Sequence, residues 1–120
     1  MAVTIYHNPK CRISREVLKT LRTKGVEPIV VEYMKDPPGR SDLVRLLNLL
    51  RLSPKDIIRE KEARQLGINR NGLDLNGALE TLARNPALIE RPIVLTSSEG
   101  RVCRSAELAE LFISESMAFA

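Results

Sequence analysis

The chain has 120 residues, 43% of them apolar and 28% charged, and its 19 Lys and Arg exceed its 15 Asp and Glu by four. This is the profile of one folded domain, residues 1–120, that buries about two-thirds of its unfolded surface, and it excludes a disordered chain. No apolar run approaches the ~20 residues of a bilayer span, and two cysteines, Cys11 and Cys103, make no disulfide framework. The opening MAVTIYHNPK lacks the basic region and the apolar length of a secretory leader. A cytoplasmic monomer is expected.

Val3-Thr4-Ile5-Tyr6 is rich in β-branched residues and closes on Asn8-Pro9, so it predicts a strand running into a turn. From about Cys11 to Lys24, Ile13, Val17, Leu18 and Leu21 fall on one helical face, with Gly25 placed as a left-handed cap. Ile29 to Tyr33 predicts a second strand, continuous enough in apolar character to be buried on both faces. Asp36-Pro37-Pro38-Gly39 then breaks the chain, and Ser41-Asp42 starts a helix with Leu43, Val44, Leu46, Leu47 and Leu50 on its apolar face.

Ser53-Pro54, with Asp56 three residues after the cap, marks a further helix start. Asn69 to Asn76 predicts a loop, followed by a short helix to Arg84 that Asn85-Pro86 ends. Ile93 to Thr96 and Arg101 to Cys103 flank Ser97–Gly100 as a β-hairpin, and Ser105 caps a last helix through Leu108, Leu111 and Phe112. The tail Met117–Ala120 is expected to fray. The order β-α-β, helical insertion, β-β-α predicts an α/β layer fold with one mixed sheet, its first pair parallel.

Charge is concentrated at the start. Lys10, Arg12, Arg15, Lys19, Arg22 and Lys24 face only Glu16 within the first 25 residues. With two Tyr, two Phe and no Trp, the chain lacks the aromatic surface that stacks bases, so this field points to a small anion rather than to nucleic acid. At its centre Cys11 lies where the first strand gives way to the first helix. Unpaired N–H groups and the positive end of the helix dipole favour a thiolate there, and Lys10, Arg12 and Arg15 push the same way. Cys11 is therefore the candidate nucleophile, and the same N–H groups form a cradle for a tetrahedral oxyanion. The plainer alternative, a small buried hydrophobe beside a solvated basic face, fits that position less well. Cys103, in the hairpin, reads as a buried structural thiol.

The string YHNPxCxxSR closely resembles the active-site loop of the glutaredoxin-dependent arsenate reductases, the ArsC family. Ile58-Arg59, Glu90-Arg91-Pro92-Ile93-Val94 and Arg101-Val102-Cys103-Arg104 match in the same order, so the resemblance runs from Tyr6 to about Leu111. It implies a thioredoxin-like fold: a mixed four-stranded sheet flanked by helices, with a helical insertion between the βαβ and ββα halves. It also implies that Cys11 is the nucleophile and that Arg59, Arg91 and Arg104 hold the oxyanion, a task suited to planar guanidinium groups. A cis Arg91–Pro92 peptide is implied beside the cysteine. His7 is placed to keep the thiol ionised or to orient the loop. Ser14 is placed to donate to the thiolate, and Asn8 and Arg15 belong to the same loop and first turn. Arg12 and Ile13 stand where small residues are common, which implies a more basic and narrower pocket, and the length resembles the family's short branch.

The chemistry expected is attack of the Cys11 thiolate on arsenate to give a Cys–S–arsenate adduct. A CxxC pair would need a cysteine where Ser14 stands, so an external thiol must resolve the adduct. The resemblance names glutathione as co-substrate and glutaredoxin as partner, with arsenite as product. One His and two scattered Cys make no metal-ligand set, and neither a bound cofactor nor a membrane partner is expected. Two other readings use the same fold. One is a regulator of the Spx type that binds RNA polymerase, against which Ser14 and the three arginines count; the other is a general glutathione-linked thiol oxidoreductase.

Overall fold

The computed structural model describes residues 2–118. In chain order it contains β1 (Thr4–His7), α1 (Arg12–Thr23), β2 (Ile29–Glu32), α2 (Arg40–Leu50), α3 (Glu60–Gln65), α4 (Leu75–Arg84), β3 (Ile93–Leu95), β4 (Gly100–Val102) and α5 (Ala106–Ala118), with 3-10 turns at Pro54–Ile57, Arg70–Gly72 and Pro86–Leu88. Met117 and Ala118 are helical, not frayed, and Phe119 and Ala120 lie outside the described residues. The chain divides into two compact units: one runs up to Tyr33 and resumes at Arg91, the other is Met34–Glu90.

The first unit holds the four-stranded sheet in the order β2-β1-β3-β4. β1 and β2 are parallel, with His7 opposite Glu32; β1 and β3 are antiparallel, with Tyr6 opposite Ile93. β3 and β4 form the expected hairpin. Alternation along β1 sends Ile5 into a core shared with Val17 and Leu21 of α1, Val94 of β3, and Ala109, Phe112 and Ile113 of α5. α1 closes with a Schellman motif: Gly25 has φ of 81°, its N–H donates to the Arg22 carbonyl, and the Val26 N–H donates to the Leu21 carbonyl. Ser105 caps α5 by accepting the Leu108 N–H.

Two expectations in this unit need correction. β2 lies at the sheet edge, and Ile29 is 63% exposed, so the strand is not buried on both faces. A continuous apolar run does not reveal which strands will flank it. In α5 the buried stripe is Ala109, Phe112 and Ile113, while Leu108 and Leu111 face outward. The three buried positions follow the i, i+3, i+4 spacing of one helical face.

The second unit has its own core. Leu43, Leu46, Leu47 and Leu50 of α2 are buried, as are Ala78, Leu79 and Leu82 of α4, and α2 packs on α4. Val44, expected on the apolar face of α2, is 40% exposed. α2 begins at Arg40, with Asp42 accepting the Gly39 N–H. Ser53 and Asp56 form the anticipated capping box, but it opens a single 3-10 turn and not an α-helix. The chain extends at Ile58, which bridges to Ile89, before α3 starts.

Leu21→Ala, which empties a fully buried position at the centre of the first unit's core, is expected to cost about 2–5 kcal/mol of folding stability. Urea titration should show this as a lower midpoint with an unchanged slope.

Candidate active site

The end of β1 delivers the chain into a tight loop and then into α1. The Cys11 N–H donates to the Asn8 carbonyl at 3.0 Å, the Lys10 N–H donates to Asn8 Oδ1 at 3.0 Å, and Arg15 donates to the Pro9 carbonyl at 2.8 Å. Cys11 occupies the N-cap of α1 with extended backbone, φ −91° and ψ 121°. Its thiol is only partly buried. A groove of about 590 Å³ beside the loop carries the cations Arg15, Lys19 and Arg22 among His7, Pro9, Leu18 and Thr23.

The Cys11 thiol lies below its ordinary pKa. Burial opposes the charge, and is outweighed by the Ser14 N–H, by the Arg91 guanidinium acting through both a hydrogen bond and its charge, and by the Ile13 N–H. The thiolate is thus favoured by the helix start, as its position in the sequence implied. The cations responsible differ from those expected. Arg12 pairs with Glu16 on the surface and Arg15 is turned to the Pro9 carbonyl, whereas Arg91 arrives from a segment 80 positions away in sequence.

Sheet register explains that arrival. Asn8 lies one step beyond the His7–Glu32 pair, which puts Tyr33 on one side of it. It lies two steps beyond the Tyr6–Ile93 pair, which puts Arg91 on the other. The Arg91–Pro92 peptide is cis, and Pro92 is buried and accepts the Cys103 N–H at 2.9 Å.

His7 and Ser14 are both buried, and His7 Nδ1 lies 2.7 Å from Ser14 Oγ, which also accepts the Asn8 N–H at 3.0 Å. The Ser14 hydroxyl is therefore committed to the loop, and its offering to the thiol is its backbone N–H. Burial pushes His7 below its ordinary pKa, against Glu32 and in concert with Arg22 and Arg15. At neutral pH the imidazole is uncharged and lends no positive charge to the thiolate.

Arg104 follows β4 and is exposed, and it is not among the groups acting most strongly on the thiol. Arg59 belongs to the second unit, where it caps α3 and pairs with Glu62 and, at 3.6 Å, with Glu90. Cys103 is fully buried, with its thiol pushed up to about 12 by burial, as a structural thiol should be. Among the described residues no group of three or more His, Cys, Asp or Glu could hold a metal ion.

Tyr33 is a site residue that sequence reasoning misses. Sequence places it only at the end of a strand, yet it is fully buried and interacts electrostatically with Arg91, Asn8 and Cys11. Its position carries a signal, since ligands of α/β sheets bind beyond the carboxyl ends of the strands.

Alkylation followed against pH tests this electrostatic description. Because the thiolate is the reacting form, a depressed pKa moves the rate midpoint for Cys11 below that of an ordinary thiol, and Arg91→Ala should move it back up. Cys103 should react only on unfolding. Its raised folded pKa also means that its stabilising contribution, complete below the ordinary thiol value of 9.0, is lost as pH rises toward about 12.

The chain matches the ArsC family model over residues 6–112. It is 39% identical to an arsenate reductase of Rhizobium meliloti over 110 residues, covering 90% of this chain and 79% of the relative. It is 38% identical to the uncharacterized Escherichia coli protein YfgD, covering 88% of this chain and 91% of that one. The structure of an arsenate reductase from Vibrio cholerae superposes with a TM-score of 0.81 at 36% identity, covering 91% and 95% of the two chains. The fold is the thioredoxin-like one that the family resemblance implied. A family match that begins at Tyr6, takes in the Cys11 loop and the Arg91–Pro92 segment, and ends at Phe112 leaves one conclusion: the chain belongs to the ArsC family.

Proposed function

We propose that the chain is an arsenate reductase whose nucleophile is Cys11. The observation that carries this reading is a partly exposed thiol held below its ordinary pKa by backbone N–H groups and Arg91, in a chain whose relatives include named arsenate reductases. Arsenate is anionic at neutral pH, and the same N–H groups and guanidinium that favour the thiolate complement its oxygens.

The reaction runs in three balanced steps. The Cys11 thiol and dihydrogen arsenate give a Cys11–S–As(V) adduct and one water, as a sulfur–arsenic bond replaces an arsenic–oxygen bond. Glutathione then attacks the adduct sulfur. The sulfur–arsenic electron pair stays on arsenic, which leaves as arsenite, and Cys11 is left as a mixed disulfide with glutathione. A second glutathione, with glutaredoxin as catalyst, exchanges with that disulfide, which restores the Cys11 thiol and releases glutathione disulfide. An external reductant is required because Ser14 stands where a CxxC resolving cysteine would be and Cys103 is sealed in the core. The basic groove beside the loop suits an anionic co-substrate such as glutathione.

Arg91 is the primary oxyanion ligand in this reading. Arg59 and Arg104 join it on the strength of the family pattern, and His7, Asn8, Ser14, Arg15 and Pro92 shape the loop. The family match spans both units, which supports treating residues 1–120 as one functional domain. A cytoplasmic monomer completes the reading. Among the described residues no helix is long and apolar enough to cross a membrane.

A coupled assay with glutathione and glutaredoxin tests the reading. Cys11→Ser should abolish arsenate-dependent thiol oxidation, and Cys103→Ala should retain it. Arg91→Ala should lower kcat/KM by about 10–100-fold, the value of a hydrogen bond to a charged group. Equal rates for wild type and Cys11→Ser would end the nucleophile assignment. A loss of no more than twofold in Arg59→Ala or Arg104→Ala would remove that arginine from the oxyanion site.

A further inference from the structure

Tyr33 is fully buried, and its hydroxyl has no hydrogen-bond partner. A buried orphan of this kind is uncommon, because an unsatisfied polar atom loses its hydration without compensation. Its location is equally specific. Sheet register sets Tyr33 beside Asn8 at the edge where the loop to Cys11 begins, with Arg91 on the far side of Asn8. The hydroxyl oxygen is faced by the side-chain donors of Arg91 and Asn8, short of full hydrogen-bond geometry, and by the charge of Cys11, and no acceptor takes its hydrogen.

The acceptors within the loop already take other donors. Asn8 Oδ1 accepts the Lys10 N–H, the Asn8 carbonyl accepts the Cys11 N–H, and Ser14 Oγ is held between His7 and the Asn8 N–H. Burial keeps the phenol protonated, pushing its pKa above the ordinary value against the opposing pull of Arg91 and Asn8. The group left beside Cys11 is a fixed O–H donor, and an oxyanion offers only acceptors to it.

Resting on the oxyanion site of the proposed arsenate reductase, we propose that Tyr33 is a substrate-binding residue whose hydroxyl donates a hydrogen bond to an oxygen of the oxyanion held at Cys11 and Arg91. The bond forms only when the anion is bound, so the free protein carries the unsatisfied hydroxyl and the complex does not. Tyr33 thereby adds a neutral donor to the charged one supplied by Arg91, and favours a ligand with several acceptor oxygens over a simple thiol-reactive compound.

Tyr33→Phe removes the hydroxyl and keeps the ring. Arsenate binding is measured calorimetrically in the Cys11→Ser background, where no adduct can form, and the melting temperature of each free protein is recorded. The expected result is an affinity about 10–100-fold weaker with Phe, with the free protein's melting temperature unchanged or raised. Equal affinities would overturn the inference and leave the oxyanion site standing. Weaker binding with a lowered melting temperature would overturn it too, since the hydroxyl would then be structural. If Cys11→Ser itself binds no arsenate, the oxyanion site falls and Tyr33 falls with it.

Discussion

The site depends on a contest at one sulfur atom. Burial of Cys11 disfavours its charge, while the Ser14 and Ile13 N–H groups and the Arg91 guanidinium favour it, and the second set prevails. Two of those three donors are backbone atoms at the start of α1, which no substitution short of proline removes. The third is a side chain from a distant strand, so ionisation of the thiol also depends on the sheet being assembled. This couples chemistry to fold more tightly than a row of local cations would. Lys10, Arg12 and Arg15 raise the surrounding potential, but solvent screens exposed charges, and two of the three are turned to other partners.

The sheet supplies the coupling through its strand order. β1 is central, with a parallel neighbour on one side and an antiparallel neighbour on the other. The carboxyl ends of β1 and β2 and the amino end of β3 therefore share an edge. Residues just past each strand at that edge, Asn8, Tyr33 and Arg91, are brought together although they are spread over 84 positions of sequence. A shift of β3 by one residue would exchange Arg91 for Glu90 or Pro92 beside the loop. The buried β3 residues Ile93, Val94 and Leu95 hold the register that prevents it.

Much of this is legible in the sequence because it is local. A β-branched run before Asn8-Pro9, a helical stripe ending in Gly25, a hairpin around Ser97–Gly100 and a serine cap at Ser105 are short-range patterns, and each takes the form expected of it. The readings that fail depend on distant partners. The edge position of β2 follows from which strand β3 joins, and the outward turn of Leu108 and Leu111 follows from where α1 sits on α5. At Ser53 the capping signals are present, but the chain must extend at Ile58 to bridge Ile89, so one turn is all that forms. Arg59 has Glu62 three residues on, a pairing legible in the sequence, whereas Glu90 reaches it only through the fold. Tyr33 escapes because a tyrosine at a strand end reads as a packing residue unless the register is known.

Position 14 shows how one residue can decide the type of chemistry available. Ser14 is fully buried, and its hydroxyl joins His7 Nδ1 to the Asn8 N–H, fixing the loop that presents Cys11. A cysteine there would be a weaker acceptor with longer bonds, so the loop would lose much of its bracing. It would also be a thiol shielded from reductant. The serine therefore stabilises the loop and at the same time leaves Cys11 without an internal resolving partner. Under the proposed mechanism the adduct must then be opened from solution, which requires the sulfur to stay within reach of another molecule. Its partial exposure, set against the complete burial of Cys103, meets that requirement.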